Sequence, residues 1–335
     1  MTAIRTRRKS LWSWNLARRP AGGPKGGVGK NVSRLTSEQD MRSPAFQRTL
    51  KTVVEFAGVG LHSGEACRVV LTPAIAGEGP DGILFRRTDL AAPDNIIAAI
   101  PENVACANHG TTLTNNTGVS VATVEHLMAA LALTGVDNLV IEIDGPEVPI
   151  LDGSAAAFVT GIAKAGLASL KARRRPVVIT EAEHIADGER SITVEPYAGR
   201  LVEIEIDFCD CLIGRQSLRL DLDDPAVIAR LASARTFCRL NEVEALRSAG
   251  LIRGGALSNG IVVDGDRVLN EEPLRDPAEF ALHKALDLIG DLYLLGGPVI
   301  GRIRAVKPGH DLNTRAALYL KEAQAETRQP SRATA

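Results

Sequence analysis

Asp276-Pro277-Ala278-Glu279-Phe280-Ala281-Leu282-His283-Lys284-Ala285-Leu286-Asp287-Leu288-Ile289-Gly290-Asp291 reads as a helix start followed by a ligand pair. Asp276 suits the N-cap, Pro277 the first helical position and Glu279 the third. Leu282, Leu286, Ile289 and Tyr293 recur at helical spacing and form the core stripe. His283 and Asp287 stand four residues apart on one face, where β-carbons lie about 5–6 Å from each other. One ion at about 2.0–2.2 Å from each donor can be held by both. The same pair is found as an ordinary ion pair worth about 0.2–0.5 kcal/mol on many helices. A second stretch, Thr123-Val124-Glu125-His126-Leu127, strengthens the metal reading. It opens an apolar helix predicted over residues 123–133 and closed by Gly135. His126 can complete the ligand set, while Glu125 faces a water without ligating. Three protein ligands and an open position are the arrangement of a hydrolytic zinc site.

Outward from these helices the pattern repeats. Strands are predicted at residues 51–58, 66–71 and 138–143, with a helix at 154–165; strands at 176–180, 191–196, 201–208 and 299–306, with a final helix at 313–325. Each half therefore runs strands, ligand-bearing helix, strand, helix. The expected fold class is α+β, two similar layered domains from a duplicated unit, with the active site at their junction. Expected boundaries are a disordered basic extension at 1–47, a first domain at 48–170, a second at 176–325 and a flexible tail at 326–335. Residues 170–175 (LKARRR) are the expected linker, and residues 235–264 a small insertion of helix and strand in the second domain.

Composition narrows the class. Hydrophobic residues make up 45% and charged residues 24% of 335, ordinary for a soluble globular protein, and no apolar run is long enough to span a bilayer. Five scattered cysteines suggest a reducing compartment rather than a disulfide framework. Residues 1–40 carry nine Lys and Arg against Glu38 and Asp40, so basic charge is concentrated there while the whole chain has net charge −1. Such an arm is expected to be a disordered extension or a segment ahead of a true start at Met41, the alternatives being an organelle transit peptide, a membrane-surface anchor or a nucleic-acid tail. Within it Lys25-Gly26-Gly27-Val28-Gly29-Lys30 imitates a phosphate loop, but Asn31 stands where Ser or Thr is needed and no strand precedes.

Seven stretches, in order, resemble the UDP-3-O-acyl-N-acetylglucosamine deacetylases, the zinc amidases of lipid A biosynthesis. They are residues 58–64 (GVGLHSG), 123–127 (TVEHL), 147–155 (EVPILDGSA), 234–237 (ARTF), 268–271 (VLNE), 283–291 (HKALDLIGD) and 307–313 (KPGHDLN). The resemblance implies that His126, His283 and Asp287 bind Zn2+, with Glu125 as general base. It implies that His310, in a Gly309-His310-Asp311 turn, is cationic and protonates the departing amine, oriented by Asp291. Thr236 would donate to the oxyanion. Lys284 and Lys307 would meet phosphates, Phe237 the sugar, and Asp207 with Phe208 the uridine. Leu240, Val243, Ile252, Leu257 and Val262 would form a lipid passage, and His62 would touch substrate or support the ligands. After Phe208 the family commonly continues with His and Pro, where this chain has Cys209-Asp210-Cys211.

The expected partner is thus an acylated UDP-sugar met by a cytoplasmic monomer, with no nucleic acid. Fe2+ suits the same two-histidine, one-carboxylate set. The competing expectation is a catalytically idle paralogue that binds acylated nucleotide sugar.

Overall fold

The computed structural model describes residues 46–74 and 82–328. The basic arm, its imitation phosphate loop and most of the predicted tail lie outside those residues. Six helices are found among the described residues: α1 (Glu125–Thr134), α2 (Ala156–Ala165), α3 (Pro225–Ser233), α4 (Leu240–Ser248), α5 (Glu279–Tyr293) and α6 (His310–Arg328).

Two sheets carry the same connectivity. The first runs Val54–Val59, Ala66–Pro73, Leu139–Ile143, Ile83–Arg87, Ile96–Ala98 across its width. The second runs Glu183–Asp187, Arg190–Glu195, Val299–Val306, Arg200–Phe208, Gly214–Asp221, with the short strand Val177–Val178 also on Val299–Val306. In each, the last strand of the half enters the middle. It lies antiparallel to the second strand (Val69 opposite Ile143; Ser191 opposite Val306) and parallel to the third (Ile83 opposite Leu139; Leu201 opposite Arg302). Burial alternates along these strands, as a sheet with one face on the core requires.

The helices fill the space between the sheets: α2 packs on Val54–Val59, α5 on Arg200–Phe208, and α1 and α5 meet each other in the middle. One continuous hydrophobic core runs from Leu50 to Leu320. All ten residues of α1 are buried, so it is apolar around its circumference apart from Glu125, His126 and Thr134. Gly135 ends it in the left-handed conformation at φ 71°, its N–H bonding Leu131 O. The α1–α5 contact depends on Gly290. A β-carbon there would collide with the Glu125 carbonyl and stand 3.1 Å from the Ala129 nitrogen. Gly290→Ala should therefore push the helices apart, costing about 1–3 kcal/mol by overpacking and lowering turnover. Chemical denaturation and steady-state kinetics would read both effects.

Several sequence expectations are corrected. Helix α5 starts at Glu279 rather than Pro277: Asp276 caps the Ala278 N–H of a turn that precedes the helix. His310 is the first residue of α6 and not part of a turn. The first four residues of the expected linker, 170–173, belong to a strand, Leu167–Arg173, paired antiparallel with Phe46–Leu50. The second-half insertion is larger than a helix and a strand. Phe237–Arg239, α4 and Ile261–Asp264 form a parallel strand–helix–strand unit, with Arg267–Val268 alongside. A counterpart in the first half was missed: the three-stranded sheet of Val104–Cys106, Thr112–Thr114 and Ser120–Val121. Both insertions fall between the fourth strand of the half and its central helix.

Candidate active site

The site forms where the starts of α1 and α6 and the middle of α5 converge. Before α1, Thr123 takes φ 57°, rare for a β-branched residue, and its hydroxyl donates to Glu147 Oε1 at 2.8 Å. Glu147 also accepts the N–H groups of His62 and Ser63 at 2.9 and 2.7 Å. One carboxylate therefore fixes the entry to α1 and the 58–64 loop together.

His126, His283 and Asp287 are buried, and a ligating atom of each lies within 4.8 Å of the others. Asp287 Oδ1 stands 3.6 Å from His126 Nε2 and 3.4 Å from His283 Nε2. It is buried without a hydrogen-bond partner. Tetrahedral bonds of about 2.0–2.1 Å separate ligand atoms by about 3.3–3.4 Å, so this triangle fits one divalent ion. His283 Nδ1 lies 3.1 Å from the Ala234 carbonyl, to which it donates, leaving Nε2 as the lone-pair nitrogen. Burial pushes the His283 pKa down to about 3, so the ring is neutral, as ligation requires. Burial disfavours the Asp287 carboxylate, but the Lys284 ammonium beside it outweighs burial and holds its pKa well below the usual range. Lys284 Nζ donates to the other oxygen, Oδ2, at 2.8 Å.

Glu125 and His310 face this triangle. Burial raises the Glu125 pKa despite nearby His310 and His126, giving it more basic character than a surface carboxylate. Burial opposes the His310 cation, but the Asp291 charge and its 2.9 Å hydrogen bond to Nδ1 prevail, lifting the pKa to about 9. A carboxylate of raised basicity and a cationic imidazole beside one triangle of ligating atoms are the groups that metal-assisted amide hydrolysis calls for.

A cavity of about 670 Å³ opens from these groups and is lined by Glu125, His126, His283, Asp287 and His310 together with His62, Thr236, Phe237 and Lys284. Thr236 and Phe237 are delivered by the second-half insertion. The preceding Arg235 is clamped there, its guanidinium bonding the buried Glu279 at 2.8 Å. The Phe237 ring packs against Phe280 and Phe208, with Lys284 Nζ 5.8 Å from its centroid.

Ile252 and Val262 line the cavity, as the expected passage requires, but Leu240, Val243 and Leu257 are not on its wall. Helix α4 turns Asn241, Glu242, Ala245 and Leu246 toward the cavity, which puts Leu240 and Val243 on its opposite face. The 256–259 turn presents Ala256 and Asn259 instead of Leu257. Lys307 and Asp207 also lie off the wall, paired at 3.4 Å, and Lys307 bonds Glu189 as well. Phe208 is also off the wall, its ring packed edge-on against Phe237 with centroids 5.7 Å apart. Cys209-Asp210-Cys211 forms a turn whose Asp210 pairs with Arg239 at 2.9 Å. His62 touches the insertion: its Nδ1 accepts from Ile252 N–H at 3.4 Å, and its Nε2 bonds His109 O.

Sequence reasoning missed Thr111 and Asn313, both fully buried at the site. Asn313 Nδ2 donates to Asp291 Oδ2 at 2.8 Å. Asn313 closed a quoted stretch; Thr111 follows Gly110 in a loop with no periodic signal.

The family model described as UDP-3-O-acyl N-acetylglycosamine deacetylase (LpxC) matches residues 47–322. The chain is 49% identical over 268 residues to the UDP-3-O-acyl-N-acetylglucosamine deacetylase of Phenylobacterium zucineum strain HLK1, covering 80% of this chain and 90% of that protein. It is 47% identical to the Myxococcus xanthus strain DK1622 protein of the same name, covering 82% and 86%. Identity to the one from Vibrio parahaemolyticus is 43%, covering 83% and 91%. With a match that spans both sheets, both insertions and every residue of the buried triangle, the chain belongs to the UDP-3-O-acyl N-acetylglycosamine deacetylase family.

Proposed function

We propose that the protein hydrolyses the N-acetyl group of UDP-3-O-(3-hydroxyacyl)-N-acetylglucosamine, giving acetate and a free amine for lipid A biosynthesis, with zinc as its ion and the cytoplasm as its place of action. The observation that carries this reading is the convergence of the His126–His283–Asp287 triangle, Glu125 and His310 on one cavity. Among the described residues no helix is long and apolar enough to cross a membrane.

His126, His283 and Asp287 would hold the ion, which when bound would supply Lewis-acid polarisation of the amide carbonyl and a water of lowered pKa, toward about 7. Glu125 accepts the proton of the attacking water as the new C–O bond forms. The Thr236 hydroxyl donates to the oxygen that gains charge, a contact whose removal costs about 2.7–4 kcal/mol in comparable sites. His310 delivers a proton to nitrogen as the C–N bond breaks, and Asp291 holds its ring by Nδ1. Phe237 packs on the sugar, and Lys284 and Lys307 attract the phosphates as compact cations. Asp207 and Phe208 flank the uridine. The acyl chain lies along the apolar wall of the second-half insertion, with Leu246, Ile252 and Val262 in contact.

Burying even four methylenes at about 0.8 kcal/mol each gives about 3 kcal/mol. Free UDP-N-acetylglucosamine, which has no 3-O-acyl chain, should therefore show kcat/KM at least about 100-fold lower. Equal kcat/KM for the two substrates would refute the acyl assignment.

A further inference from the structure

Thr111 joins the two halves of the proton-transfer machinery. It sits at the base of the first-half insertion, immediately before Thr112–Thr114, and is fully buried. Its backbone N–H donates to Glu125 Oε2 at 3.0 Å, and its carbonyl accepts from Val124 N–H at 3.2 Å. Its hydroxyl donates to Asp291 Oδ1 at 2.6 Å. The other Asp291 oxygen receives His310 Nδ1 at 2.9 Å and Asn313 Nδ2 at 2.8 Å. A continuous set of hydrogen bonds thus runs from Glu125 on α1 through Thr111 to Asp291 on α5 and His310 at the start of α6.

We propose that Thr111 is a positioning residue that sets the geometry of Glu125 and His310 relative to each other through its amide and its hydroxyl. This rests on the assignment of Glu125 and His310 as base and acid. Asp291 has one donor on Oδ1 and two on Oδ2. Without the Thr111 hydroxyl the carboxylate can rotate, and the imidazole bonded to Oδ2 rotates with it. Proton transfer requires donor and acceptor within hydrogen-bond reach of the reacting atoms, and a misplacement of about 1 Å can cost about 100-fold. Ground-state contacts with nucleotide, sugar and acyl chain involve other side chains, so the loss belongs in kcat and not in KM. A buried threonine that only fills space would give a different result, because valine has its shape.

The test uses the full-length, zinc-loaded protein with Thr111→Val and Thr111→Ser. Zinc content, kcat and KM for the acylated nucleotide sugar are measured, together with the Nδ1-bound proton resonance of His310 in protein labelled with 15N-histidine. Thr111→Val should lower kcat about 10- to 100-fold, the usual range for outer-shell partners, with KM within about twofold and zinc stoichiometry unchanged. Its His310 resonance should move upfield as the bond to Asp291 loosens. Thr111→Ser keeps the donor and should recover most of the activity and the resonance. Wild-type kcat and resonance in Thr111→Val would overturn the proposal, as would equal losses in both variants with an unmoved resonance. If valine prevents folding, Thr111→Cys keeps the volume with a much weaker donor and should show the same loss and shift. If the wild-type protein releases no acetate, the functional reading fails, and the resonance alone decides the role of Thr111.

Discussion

Glu125→Gln should lower kcat about 100- to 10,000-fold, the span contributed by a positioned general base, while the protein keeps its metal. Glu125 is 4% exposed, and one oxygen is held by the Thr111 N–H at 3.0 Å. A β-carbon on Gly110 would come 3.2 Å from the other oxygen, so the chain approaches Glu125 closely on that side, and glycine leaves the space open. Glutamine preserves shape and can still accept from Thr111, but its amide cannot take a proton from water. Because Glu125 is outside the ligand triangle, metal analysis should find the variant loaded like the wild type. Near-full turnover in that variant would remove Glu125 as the base. Loss of metal together with activity would recast it as a ligand.

His283→Ala should reduce both bound metal and turnover, the latter about 1,000-fold or more. An ion that stabilises transition-state charge supplies several kcal/mol, and each 1.36 kcal/mol is a factor of ten. The side chain is 2% exposed, with its Nε2 3.4 Å from Asp287 Oδ1. Removing the ring leaves two ligands, one of them a carboxylate already shared with Lys284. Alanine at His283 is preferred to alanine at Asp287 because the latter would also leave the half-buried Lys284 ammonium without its 2.8 Å partner. Metal analysis with circular dichroism separates the outcomes. A folded variant that still binds one equivalent of metal and turns over normally would exclude His283 from the ligand set.

The helices that carry the chemistry were legible because their signals are local. The apolar run after Glu125, the left-handed Gly135 and the spacing of His283 and Asp287 need no tertiary information. The duplicated order of elements was visible too, since each half repeats strands, helix, strand and helix. What escaped depends on long-range pairing. The residues of Ile83–Arg87 (ILFRR) and Gly214–Asp221 (GRQSLRLD) carry little hydrophobic alternation, and the place of Ile83–Arg87 is set by Leu139–Ile143, distant in sequence. The arginine-rich 170–175 segment looked like a linker because it is short and charged, yet its first four residues lie in the strand Leu167–Arg173 that pairs with Phe46–Leu50, and the Arg174 guanidinium is buried against Asp137 at 2.6 Å. Helix α4 misled for a simpler reason. Two of its three large apolar side chains, Leu240 and Val243, point away from the cavity, and Leu246 lines it together with Asn241, Glu242 and Ala245. Thr111 gave no signal at all, since its role exists only once α1 and α5 are brought together across Gly290.

The central claim is that this buried triangle, loaded with one ion, removes acetate from an acylated nucleotide sugar. The most direct measurement is acetate release from UDP-3-O-(3-hydroxyacyl)-N-acetylglucosamine by metal-stripped protein before and after one equivalent of zinc. Turnover that is absent without metal and appears with zinc is the expected result. Stoichiometric zinc binding without acetate release would contradict the account and leave a binding protein that has kept the ligands of an enzyme.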